Sequence, residues 1–202
     1  MLGLPVATEI SKALPKKAIF AKFELKPVQR DHFDEDVAKL AIVNIISPTT
    51  IPALPKGEQI ECIYVIEVQL KKSDYDPKNI QMLSKLIPQN MVFALHYEDH
   101  IQLAINHTKY IYSSWMEADD AKLTLQGLNL DRVWENIVIN IGNIEVEEGS
   151  TLEKQIQVDD TKAKLLKQIA MLEAKARTEK QPRKKLELYE TLKGLKKLYE
   201  RK

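Results

Sequence analysis

Apolar and polar positions along the chain change period more than once, and each change predicts a different kind of element. Through the first 35 residues the apolar groups come in short clusters cut by proline. Thr8 to Leu14 reads as a helix stopped by Pro15, Lys16 to Phe23 as a second stopped before Pro27, and Val28 to Asp36 as a third with Phe33 as its core contact. Proline lacks an amide donor and crowds the residue before it, so a helix cannot run through. From Lys39 to Ile46 the side chains turn β-branched, which predicts a strand ending at Ser47-Pro48. Pro48, Pro52, Pro55 and Gly57 make the next connection an exposed loop.

Glu61 to Leu70 is the strongest strand pattern. Ile63, Val65 and Glu67 share one face, and Tyr64, Ile66, Val68 and Leu70 share the other. Asp76-Pro77 then supplies a helix cap followed by proline at the first helical position. That helix is expected to carry Ile80, Leu83, Leu86 and Ile87 and to end at Pro88. Met91 to Tyr97 and Ile101 to Asn106 predict two strands across the turn Glu98-Asp99-His100. Lys109 to Ser113 extends the sheet, and Leu123 to Leu125 reads as a short edge strand. Asn129 caps a helix from Leu130 to Ile141, with Val133, Trp134, Ile137, Val138 and Ile141 facing inward and Gly142 in the left-handed position beyond. Residues 1–142 therefore read as an α+β head with a mixed or antiparallel sheet and flanking helices.

Residues 143–151 are acidic and end in small polar groups, which suits a linker. Over residues 152–202 the helical period takes over. Val158, Leu165 and Leu172 recur every seven residues, as do Ile169 and Ala176, and Leu188, Leu192, Leu195 and Tyr199 repeat the spacing on a second helix. Pro182 lies between them, where a helix can begin but not continue. The pattern predicts an antiparallel helical hairpin with arms of about 19 residues, each about 28 Å long.

Composition adds exclusions. No apolar run is long enough to span a membrane, and the N-terminus lacks the basic-then-apolar build of a signal peptide. A single cysteine, Cys62, can form neither an internal disulfide nor a zinc cage, which fits a reducing cytoplasm. The six glycines are scattered, so no glycine loop cradles phosphate and a nucleotide-hydrolysing motor is not expected. The net charge of +1 hides an asymmetry: from Thr161 onward there are 14 Lys+Arg against 5 Asp+Glu, which leaves 16 against 24 in residues 1–160. An acidic body with a basic arm is the pattern of a chain that seeks an anionic partner. Lys175, Arg177, Lys180, Arg183, Lys184 and Lys185 cluster around the hairpin bend, as nucleic-acid or partner-binding residues would. An acidic groove on a protein would attract the same charges, and the apolar seam would also serve a homo-oligomer.

Catalytic candidates are fewer. Restriction-endonuclease-like folds place an acid and a lysine on a central strand to hold Mg²⁺ and activate water. Here that assigns Glu67 and Lys71, with Asp34, Glu35, Asp36 or Glu61 as the second acid. The spacing is wrong, because Gln69 stands where the lysine should be and Lys71 is about 13 Å along an extended strand. His96 and His100 flank a hairpin turn with Glu98 and Asp99, but no third ligand at fixed spacing joins them. Cys62 sits in an apolar strand and reads as filler rather than nucleophile.

Four stretches carry a resemblance: Met1-Leu2-Gly3-Leu4-Pro5, Ile66-Glu67-Val68-Gln69-Leu70-Lys71-Lys72, Lys85-Leu86-Ile87-Pro88-Gln89, and Glu179-Lys180-Gln181-Pro182-Arg183-Lys184-Lys185. Together they resemble an uncharacterised prokaryotic family catalogued as a domain of unknown function. Its members resemble accessory products of type III-like restriction or phage-defence loci that also encode a DNA methyltransferase and a DEAD/DEAH-type helicase. The resemblance implies a setting in DNA processing and carries no catalytic residues with it. Two expectations result. The first is a non-catalytic accessory subunit, without cofactor, that binds a helicase or methyltransferase partner and whose basic hairpin clamps the partner or DNA. The second is a restriction-endonuclease-like metal-dependent nuclease, working or degenerate, using Glu67, Lys71 and Mg²⁺.

Overall fold

The structure is a computed structural model that describes residues 2–147 and 149–200. The chain divides into two compact units, one up to Ile144 and one from Glu145 onward.

In the first unit the described strands form one mixed sheet. Its order is β1 (Glu9–Ala13), β2 (Val37–Ile46), β3 (Ile63–Leu70), β4 (Asn90–Tyr97), β5 (His100–Asn106) and β6 (Tyr110–Tyr112), with β7 (Met116–Glu117) also on β5. Neighbours are antiparallel except β3 and β4. A parallel pair cannot be closed by a tight turn, and α3 (Pro77–Leu83) makes the crossover. Helices α1 (Lys16–Lys22), α2 (Pro27–Asp36) and α3 cover one face of the sheet. There Ile19, Phe33, Ile80 and Leu83 pack on Leu40, Ile66, Val68, Phe93 and Leu95, and Phe20 meets Phe33 edge to face at 5.7 Å. Helix α4 (Leu130–Gly142) packs on β5 and β6 from the opposite face, burying Val133, Trp134, Ile137, Val138 and Ile141. The α+β architecture with flanking helices is the one the sequence predicts.

Four local expectations are corrected. Thr8 to Leu14 is not a helix: a 3₁₀ turn at Val6–Thr8 leads into edge strand β1. Pairing with β2 overrides helix propensity there, and Asn44 Nδ2 anchors the start of the strand by donating to Thr8 Oγ1 at 2.8 Å. Helix α3 stops at Leu83, and the chain through Leu86 continues in tight turns such as Leu86 N to Leu83 O at 2.9 Å. Leu123 to Leu125 is not a strand; the short edge pairing falls to β7, while Leu123 is buried and its amide donates to Leu2 O. Asn143, not Gly142, takes the left-handed position after α4, with φ 46° and ψ 49°. Gly142 serves packing instead, because a Cβ there would lie 2.8 Å from Ile144 Cδ1 and 3.1 Å from Ile111 Cγ2.

Both expected caps form. Asp76 accepts from Lys78 N at 2.9 Å, and Asn129 accepts from Arg132 N at 3.0 Å. In the first turn of α4, Asp131 orders the proline-rich loop. Its carboxylate accepts from Glu58 N at 2.7 Å, Ile60 N at 2.9 Å and Gln59 N at 3.3 Å. Gly57 is the neighbour that permits this approach, since a Cβ there would stand 1.9 Å from Asp131 Oδ1.

The second unit is the expected hairpin. Helix α5 (Leu152–Thr178) and helix α6 (Pro182–Glu200) close on a seam of Ile169, Ala176 and Leu192, flanked by Leu172, Leu188, Leu195 and Tyr199. The arms are unequal, because α5 has 27 residues from its Thr151 cap and α6 has 19. Among the described residues no helix is long and apolar enough to cross a membrane.

The Asp131 contacts give a stability prediction for the head. Asp131→Ala strands three loop amides and should cost about 1–3 kcal/mol in urea unfolding. Gly57→Ala should cost a similar amount, because the added methyl displaces the same carboxylate.

Candidate functional site

The residues that the sequence nominates fall in two places, and their electrostatic circumstances differ. The first is the end of β3 nearest α2. Glu67 lies on the central strands opposite Ala41 of β2 and Ala94 of β4, partly exposed beside a shallow depression lined by Lys16 and Lys39. His96 pairs with Gln69 on the same face of the sheet. Burial lowers the His96 pKa, the charge of Glu67 offsets part of that, and His96 Nε2 is buried without a hydrogen bond.

Lys71 points elsewhere. Its Nζ donates to the carbonyl oxygen of Asp34, and its amide donates to Asp36 O at 2.8 Å. Lys16 joins the same helix end, with Nζ 2.6 Å from Asp34 Oδ1 and also donating to Val37 O. The last carbonyls of a helix lack intrahelical partners and carry partial negative charge, so ammonium groups are held there. Asp36 is buried in this junction. It accepts from Asp76 N at 2.8 Å and Asn79 Nδ2 at 2.7 Å, and it pairs with Lys72 at 2.7 Å. Burial alone would raise its pKa, but the Lys72, Asp76 and Asn79 hydrogen bonds outweigh it and leave the carboxyl below its ordinary value.

The structure thus gives most of the residues assigned to metal chemistry other partners. Asp34 engages Lys16, Asp36 engages Lys72 and the start of α3, and Glu35 lies 3.7 Å from exposed His32. Glu61 precedes the opposite end of β3. His96 and His100 project from opposite faces of the β4–β5 hairpin, and His100 lies 3.4 Å from Glu117 of β7. No group of three His, Cys, Asp or Glu among the described residues could hold a metal ion together. Cys62 is half-buried, and burial first, then the charge of Glu61, push its thiol up against some relief from Tyr64. That raises the cost of a thiolate.

The second place is the hairpin bend. Lys175 and Arg177 occupy the last turn of α5, Lys180 the connecting turn, and Arg183, Lys184 and Lys185 the start of α6. All are exposed except the half-buried Lys185. Arg183 approaches Glu187 at 4.0 Å; the other five make no ion pair among the described residues. Helix stability accounts for only part of this cluster. Lys175 and Arg177 sit at a C-terminus, where cations are favoured. Arg183, Lys184 and Lys185 sit at an N-terminus, where they oppose the helix dipole at about 0.3–1 kcal/mol each, and no acid shares that first turn.

The seam spacing also implies a residue that the basic cluster does not include. Leu188, Leu192, Leu195 and Tyr199 define the inward side of α6, which leaves Tyr189 outside it, 51% exposed. Its position 100° from Leu188 on the helix is the signal that finds it.

Fold and site define a mixed-sheet α+β body joined in sequence to a two-helix hairpin with a cationic bend. The chain belongs to the family described as Domain of unknown function (DUF4391), which matches residues 2–198. No curated protein and no solved structure matches it.

The buried carboxylate predicts a pH signature. A depressed folded-state pKa contributes stability that is present above the unfolded value and lost as pH falls through the folded one. Wild type should therefore exceed Asp36→Asn by a constant margin of about 1–3 kcal/mol above pH ~5. In denaturant titrations that margin should shrink progressively as pH falls from ~5 through the ordinary carboxyl value and on through the lower folded-state one.

Proposed function

We propose that the protein is a non-catalytic accessory subunit of a DNA-processing complex, of the restriction or phage-defence kind, working beside a helicase or methyltransferase. Its hairpin grips phosphates, and its head serves the partner. The observation that carries this reading is the set of three cations at the start of α6, against the helix dipole and without an acid in that turn. A helix selected for stability alone would place acids there. Neutralising phosphates releases condensed counterions, which gives such a cluster affinity for any duplex sequence.

The nuclease reading rests on Glu67 alone, since Lys71 is committed to the end of α2. It would need Mg²⁺ held by groups most of which the fold gives other partners.

Replacing Arg183, Lys184 and Lys185 together by Glu tests the proposal. Duplex affinity, read by fluorescence anisotropy, should fall at least about tenfold. Stability should not drop by more than about 0.5 kcal/mol, because the new acids favour the helix terminus. Undiminished binding, or plasmid cleavage with Mg²⁺ that Glu67→Ala abolishes, would overturn it.

A further inference from the structure

We infer that α6 carries a binding ridge for a single-stranded polynucleotide, with Tyr189 as its stacking platform. The inference rests on the hairpin reading above and goes beyond it by adding an unpaired strand along α6 to the duplex gripped at the bend. Lys185, Tyr189, Lys193 and Lys197 are spaced by four and so form one ridge along the helix, with a step of about 6 Å. Tyr189, Lys193 and Lys197 are exposed and Lys185 is half-buried. Leu186, one turn before Tyr189, is 61% exposed and widens the apolar platform.

The ridge borders a concavity. Tyr189, Leu192, Lys193, Lys196 and Lys197 of α6 and Glu173 of α5 line a depression of about 420 Å³. Glu173 is neutralised there by Lys196 at 2.7 Å, and that hydrogen bond, followed by the Lys196 charge, holds its carboxyl below the ordinary value. Glu190, three residues before Lys193, is a further acid beside the ridge. Lys193 and Lys197 make no ion pair among the described residues.

Phosphates alone would need only the lysines. An exposed tyrosine among cations, with an exposed leucine at its side, adds what a base requires: a flat apolar face next to charge that tracks a backbone. In a duplex the bases are stacked on each other and cannot reach that ring. An unpaired strand offers both groups at once, a base to the single tyrosine of the ridge and phosphates to the lysines on either side of it.

The test uses the full chain and three labelled probes of equal length: dT20, an abasic strand with the same backbone, and U20. Anisotropy should show dT20 bound roughly tenfold more tightly than the abasic strand, with U20 ranking the sugar. Tyr189→Ala should abolish that difference, and Tyr189→Phe should keep it. Because Tyr189 lies outside the seam, both variants should unfold at the wild-type temperature. Lys193→Gln with Lys197→Gln should weaken both strands equally. Reversal of Arg183 and Lys184 is the control for the hairpin reading, since loss of duplex binding there leaves the base-dependent difference at Tyr189 to be judged by itself. Equal affinity for the base-bearing and abasic strands, wild-type binding by Tyr189→Ala, or binding of an acidic polyglutamate peptide in place of dT20 would overturn the inference.

Discussion

The head is organised around a helix end whose carbonyls have to be neutralised. Helix α2 runs directly into β2, so its last carbonyls have no room to fray into water. Lys16 and Lys71 supply ammonium groups to that end, and Lys72 balances the buried Asp36. Asp36 in turn binds the amide of Asp76 and the side chain of Asn79, which fixes the start of the crossover helix that makes β3 and β4 parallel. One electrostatic junction therefore orders three helices and the middle of the sheet.

That junction has a functional consequence. Of the acids and lysines that resemble a metal-dependent site in the sequence, Asp34, Asp36 and Lys71 are committed to the junction at the helix end. A lysine that donates to a helix carbonyl is not placed to orient a water on a metal, and a carboxylate with two N–H donors and an ammonium has its lone pairs in use. The cations of the hairpin are in the opposite condition. All but the half-buried Lys185 are exposed, and three of them sit where the helix dipole repels them. Charge held at some cost to helix stability, with only the 4.0 Å approach of Arg183 to Glu187 to offset it, is charge available to a ligand.

Much of this was legible in the sequence because it rests on periodicity. The hairpin follows from Leu165, Leu172, Leu188, Leu192 and Leu195, and the sheet from alternation through Tyr64, Ile66, Val68 and Leu70. What was not legible depends on contacts between distant segments. β1 becomes a strand because β2 offers an open edge to it, and Glu9 to Ala13 carries no strong pattern of its own. Asn143 rather than Gly142 turns the chain after α4, because Ile144 and Ile111 crowd the glycine's Cα. The commitment of Lys71 to Asp34 joins residues 37 positions apart, which no local spacing reveals. The site was half legible for the same reason: the basic cluster is local, while the role of Glu67, Lys71 and Asp36 is set by tertiary packing.

The most direct measurement of the central claim is the salt dependence of duplex binding by the unmodified protein. If about six hairpin cations each neutralise a phosphate, the logarithm of the association constant should fall against the logarithm of salt with a slope near −5. A slope near zero would mean that those cations meet no phosphate, and the account of this protein as a phosphate-gripping subunit would be wrong.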